Sequence, residues 1–151
     1  VLPLSNPTPR AEAIPADVLA WTDGAALIGT GSPFAPVDVG GHSIPIAQVN
    51  NVHVFPGVGL GVVAVKARAV SDEMLTAAAA AIGRLAAENQ DGGILPPVTE
   101  SRRVARHVAF AVARTAVDQG HAPSMNDDEI AARIDEASWS PVYRDLDDHV
   151  R

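Results

Sequence analysis

Two short apolar runs, each closed by proline, glycine and amide residues, open this chain and dictate most of what it can become. Leu2–Leu4 reads as the tail of a buried strand. It is stopped by Ser5-Asn6-Pro7-Thr8-Pro9, whose two prolines forbid both a continued ladder and a helix. Ala26-Leu27-Ile28-Gly29-Thr30 reads as a second buried strand, leaving through Gly31-Ser32-Pro33-Phe34. Between them Pro15-Ala16-Asp17 starts a helix through Val18, Leu19 and Trp21. Proline suits a first turn, where the missing N–H would have no partner, and Asp17 complements the dipole. Asp23-Gly24 stops it. Strand, helix, strand is the unit of a parallel sheet, so the fold class is α/β.

Downstream, helical signals dominate. Gly40-Gly41 between short apolar stretches marks a hairpin or loop excursion over Val37 to Ile46. Val52 to Val70 fits a strand by its valines and a tightly packed helix by its length and glycines; we read helix from about Gly57 onward. Ser71-Asp72-Glu73 caps a helix with Leu75, Ala78, Ile82 and Leu85 on one face, ending at Asp91-Gly92-Gly93. After Pro96-Pro97 comes a helix over about Glu100–Gln119, with Val104, Val108, Ala111, Val112 and Ala116 on its dry side. Its wet side carries Arg103, Arg106, His107 and Arg114, and Gly120 stops it. Asn126 and Glu129 form a capping-box pattern ahead of Ile130 and Ile134. The tail from Trp139 to Arg151 is polar and acidic.

Composition removes several functions. A net charge of -7, with no dense basic patch, argues against nucleic acid as a partner. The absence of cysteine excludes disulfides, thiolate metal sites and thiol nucleophiles. No apolar run approaches the ~20 residues that span a bilayer, and the start has no signal-peptide layout. These features indicate a cytoplasmic protein without a membrane partner. The five histidines are scattered, none at helical metal-ligand spacing with another His or a carboxylate.

Three segments can carry chemistry. Asn6 follows the first strand at the edge where open α/β sheets bind ligands, and its amide offers both donor and acceptor; turn geometry alone also favours asparagine there. Gly31 and Ser32 leave the second strand, where small residues let a ligand or another backbone come close. Asn50 and Asn51 precede a helix start, a place for an anion or simply for capping residues. Gly57-Val58-Gly59-Leu60-Gly61 mimics a dinucleotide fingerprint, but Val62 displaces its third glycine, and helix packing explains the glycines better.

Taken in order, these segments resemble the malic enzyme family. The similarity lies in Leu4-Ser5-Asn6-Pro7-Thr8 with Arg10-Ala11-Glu12-Ala13, in Trp21-Thr22-Asp23-Gly24 with Ala26 to Phe34, and in Gln48-Val49-Asn50-Asn51-Val52-His53-Val54-Phe55-Pro56-Gly57. Ser71-Asp72, Leu95-Pro96-Pro97 and Trp139-Ser140-Pro141-Val142-Tyr143-Arg144 extend it to nearly the whole chain. Two positions depart: Pro9 stands where the family usually has Ser, and His53 where it has Tyr. We read the latter as a packing change.

The resemblance implies the later portion of a Rossmann-like NAD(P)-binding domain over residues 1–70 and a helical C-terminal region over 71–151. It implies oxidative decarboxylation of malate to pyruvate and carbon dioxide with reduction of NAD or NADP, assisted by Mg or Mn. By the same resemblance Asn6 lies between cofactor and substrate, Asn50 and Asn51 hold the malate carboxylate, and Gly31 and Ser32 line the cofactor cleft. The family's base and acid, a Lys and a Tyr, its metal-binding carboxylates and its glycine-rich fingerprint are expected before Val1. No catalytic residue and no metal ligand is therefore assigned here. The expected partners are malate or pyruvate, the N-terminal remainder of the enzyme and further copies in a homo-oligomer. Two alternatives stand beside this reading: a malolactic enzyme, which returns the hydride to give lactate, and a non-catalytic assembly domain on the same fold.

Overall fold

A computed structural model describes residues 1–89 and 93–140; Gln90, Asp91, Gly92 and the tail from Pro141 lie outside the described residues. The first part is strand-poor. β1 (Gly29–Thr30) pairs in parallel with a short strand at Ala47–Gln48, Gly29 opposite Ala47 and Thr30 opposite Gln48. Residues 1–3 run along the other side of β1, with the Gly29 amide donating to the Val1 carbonyl (3.1 Å) and the Gly31 amide to the Pro3 carbonyl (3.1 Å). Pro3 has no amide to continue the ladder, so no regular strand forms there.

The chain therefore makes three parallel passes; the second is buried over Ile28–Thr30 as its apolar run suggests, but the first forms no regular strand and the leucines of both runs are exposed. Leu2 and Leu4 are 57% and 44% exposed, and Leu27 is 70% exposed. Their apolar side chains face surfaces that no described residue covers.

Between the passes lies α1 (Pro15–Trp21), opened by proline and closed by Asp23 and Gly24, both at positive φ (50° and 76°). β2 (Val37–Val39) and β3 (His42–Ile44) form an antiparallel hairpin. Its two-residue loop, Gly40-Gly41, has positive φ at both positions, as the turn that matches strand twist requires. The Ala47–Gln48 strand is thus β4. Val18, Leu19 and Ile28 form a small core beneath α1 and this hairpin.

The larger core is helical. A 3₁₀ turn at Asn51–His53 leads into α2 (Phe55–Ala64), which begins two residues before the expected start and ends well before Val70. α3 (Asp72–Ala87) is capped by the Ser71 hydroxyl, which accepts from the Met74 amide (3.2 Å). Its buried face is Met74, Ala78, Ala81, Ile82 and Leu85; Leu75 sits on the flank of this stripe and is 46% exposed, contrary to expectation.

α4 (Ser101–Asp118) is the centre of the packing. Val104, Val108, Ala109, Val112, Ala113 and Ala116 are fully buried between α2, α3 and α5. Gly120, at φ 70°, ends it, and the His121 amide closes back on the Ala116 carbonyl (2.8 Å). α5 (Asp127–Ala137) carries the full capping box: Asn126 Oδ1 accepts from the Glu129 amide (2.9 Å), and a Glu129 carboxylate oxygen accepts from the Asn126 amide (2.8 Å). No helix among the described residues is long and apolar enough to cross a membrane.

Glycine sets the spacing between α2 and α4. A Cβ on Gly57 would lie 2.5 Å from Val108 Cβ, and one on Gly61 would lie 2.5 Å from the Ala109 carbonyl oxygen. The glycine pattern therefore serves helix contact, as the displaced fingerprint suggested.

Candidate functional site at the carboxyl edge of the parallel passes

Because all three passes run in one direction, their exits meet at one edge. Ser5 and Asn6 leave the first, Gly31 and Ser32 the second, and Val49, Asn50 and Asn51 the third, with the Val49 amide on the Thr30 carbonyl (2.7 Å). This is the edge at which open α/β sheets hold ligands.

Gly31 makes the meeting possible. A side chain there would fall inside the Leu4 carbonyl group, so only glycine lets the first exit press against the second. Ser32 then reaches across: its buried hydroxyl donates to Asn6 Oδ1 at 2.6 Å. Thr30, fully buried, donates its hydroxyl to the Ser32 carbonyl (2.8 Å) and fixes the backbone beneath. Glu12 holds the position before Asn6, accepting from the Ser5 amide (3.2 Å) and the Ser5 hydroxyl (2.6 Å). The Ser5 hydroxyl, followed by backbone amides, keeps the Glu12 carboxyl below its ordinary value.

On the third exit Asn50 caps the 3₁₀ turn, its Oδ1 accepting from the Val52 amide (3.0 Å). Asn51 is exposed, and its side chain has no hydrogen-bond partner among the described residues. His53 braces the turn from below. It is 2% exposed, with Nδ1 3.0 Å from the Asn50 carbonyl and Nε2 2.9 Å from the Pro96 carbonyl.

The chemistry of the edge follows from where the amide oxygens go. Asn6 and Asn50 both spend Oδ1 on an internal donor, which leaves their Nδ2 groups for a ligand. Such an edge donates; it suits carboxylate, carbonyl or hydroxyl oxygen. It is also open surface. A groove of about 570 Å³ lies between α3 and α4, and none of these asparagines lines it. The groove's Arg106 and Arg114 are engaged with Asp135, Asp118 and Asp127. Among the described residues no three His, Asp or Glu side chains gather as a metal site.

From the sequence, Asn6, Gly31 and Ser32 fall on strand exits and Asn50 and Asn51 ahead of a helix start; the structure adds the short strand before Asn50 and gathers all five at one edge. Glu12 and the link from Ser32 to Asn6 have no counterpart in the sequence reading. The Ser5–Glu12 spacing of seven residues carries no local signal, and the other link spans 26 positions.

Residues 1–117 match the family model described as malic enzyme, NAD binding domain. The chain belongs to the malic enzyme family. It is 50% identical over 146 residues to the NAD-dependent malic enzyme of Aliivibrio salmonicida and 51% identical to that of Shewanella woodyi. Each match covers 95% of this chain and 26% of the relative. The chain thus spans about a quarter of the length of these curated relatives. Among solved structures it is similar to the malic enzyme from Pyrococcus horikoshii, with a TM-score of 0.68 at 28% identity, covering 90% of this chain and 28% of that one. The Entamoeba histolytica malic enzyme gives 0.65 at 26% identity, covering 86% and 26%. The mixed helix and sheet architecture is that of a Rossmann-like NAD-binding domain fragment followed by helices.

Proposed function

We propose that this chain is the substrate- and cofactor-holding part of an NAD-dependent malic enzyme, which converts malate to pyruvate and carbon dioxide. The observation that carries this reading is the donor edge: three asparagine amides on converging strand exits, two with their oxygens already committed. Family membership and relatives named NAD-dependent malic enzyme support it.

In this reading Asn50 and Asn51 donate to a malate carboxylate, and Asn6 donates at the junction of substrate and cofactor. Gly31 and Ser32 border the cofactor side. NAD, when bound, supplies the hydride acceptor. This chain's own contribution is positioning. Amide donors held by short internal bonds orient an anionic substrate without first reorganising. The described residues do not fit a divalent metal. Ligands for Mg or Mn, and the groups that move protons, belong in this reading to the rest of the enzyme. The rest of the enzyme and further copies of it are the implied partners.

The test is Asn51→Ala in the complete protein, assayed for NADH, pyruvate and carbon dioxide from malate. A rise in malate KM of roughly tenfold, with pyruvate and NADH formed one for one, is the expected result. An unchanged KM sinks the role given to Asn51. Lactate formed at constant total cofactor sinks the reaction.

A further inference from the structure

We infer that Ser32 is a positioning residue that acts through Asn6 by locking its amide in one of two orientations. The inference rests on the proposed role of Asn6 and deepens it. An asparagine amide can present either its oxygen or its nitrogen to a ligand, since the two ends differ little in shape. The surroundings of Ser32 remove this freedom. Ser32 is 5% exposed, and its hydroxyl proton has one acceptor among the described residues, Asn6 Oδ1 at 2.6 Å. Turning the amide over would bring Nδ2, a donor, against the hydroxyl and strand that proton in a buried position. Thr30 holds the Ser32 carbonyl, so the hydroxyl cannot follow the amide round by a backbone movement.

The consequence is a specificity. With Oδ1 turned to Ser32, Asn6 presents its N–H groups outward and therefore favours an acceptor, such as a carboxylate or a hydroxyl oxygen. The hydroxyl of Ser32 itself is committed and has nothing left to donate to a cofactor.

A double-mutant cycle in the complete protein separates this from a direct contact. Ser32→Ala, Asn6→Ala and the double variant are compared for malate KM and for NADH affinity by fluorescence. Ser32→Ala is expected to weaken the same ligand as Asn6→Ala, by roughly three- to tenfold. It should add nothing in the Asn6→Ala background, and Ser32→Thr, which keeps the hydroxyl, should restore most of the loss. An equal loss from Ser32→Ala in both backgrounds overturns the inference, because the hydroxyl then acts independently of Asn6. So does a loss of NADH affinity that Asn6→Ala does not share. If Asn6→Ala alters neither KM nor NADH affinity, the role of Asn6 fails first, and the orientation of its amide has no functional consequence.

Discussion

The sharpest quantitative expectation concerns two glycines on the same helix. Gly59 and Gly61 both lie inside α2, so replacing either by alanine brings the same gain in helix propensity, about 0.8–1 kcal/mol. Their surroundings differ completely. A Cβ on Gly59 meets nothing within 4 Å, whereas one on Gly61 would lie 2.5 Å from the Ala109 carbonyl oxygen and 3.1 Å from Val112 Cβ. The first distance is about 0.9 Å inside an ordinary 3.4 Å contact, and the obstacle is backbone of a fully buried segment of α4. Forcing the helices apart by that amount costs about 1–3 kcal/mol, more where the core cannot relax. Gly59→Ala should therefore stabilise by about 0.5–1 kcal/mol, and Gly61→Ala should destabilise by about 1–2 kcal/mol. Urea unfolding followed by circular dichroism reads both, and their difference cancels the shared propensity. If Gly61→Ala stabilises as much as Gly59→Ala, the close α2–α4 approach is not the reason for glycine at that position.

Other outcomes follow from the same geometry. His53→Phe strands the buried Pro96 carbonyl, while the Asn50 carbonyl keeps the His53 amide, so a loss of about 1–3 kcal/mol is expected in chemical denaturation. Asn126→Ala removes the α5 cap and should cost about 0.5–2 kcal/mol, seen as faster hydrogen exchange at the Glu129 amide. The Glu12 carboxyl is held below its ordinary value by the Ser5 hydroxyl and by backbone amides. Its contribution is thus present in full above the ordinary carboxylate range and is lost as pH falls through the lowered folded value. Ser5→Ala should flatten that acid limb in a titration of stability against pH, and an unchanged limb would count against the clamp.

What the chain shows in one dimension is what depends on near neighbours. Ser71, Gly120 and the Asn126–Glu129 box act within one turn of helix, and each does what its residue type and spacing announce. Gly40-Gly41 likewise needs only its own φ angles. Asn6 is placed on a strand exit by the apolar run before it, whereas Asn50 and Asn51 read only as residues ahead of a helix, since the two-residue strand before them, Ala47–Gln48, has no apolar run to announce it. Burial of the apolar runs could not be read in this way. Leu2, Leu4 and Leu27 have the composition of core residues, yet whether they are covered depends on what lies across from them. Leu75 fails for a finer reason: a stripe drawn through Ala78, Ile82 and Leu85 admits either Met74 or Leu75, and packing on α4 selects Met74. The bonds that shape the edge join residues 26 and 43 positions apart, and no periodicity encodes them.

The bridge made by His53 has a mechanical side. One imidazole joins the turn that displays Asn50 and Asn51 to Pro96, five residues ahead of α4. The candidate edge and the helical core are consequently linked through this buried ring as well as through α2. A displacement of Pro96 at the approach to α4 therefore acts on the turn that carries the asparagines. In the proposed reading, substrate affinity would register strain at the start of α4, which contributes none of the asparagines of the edge.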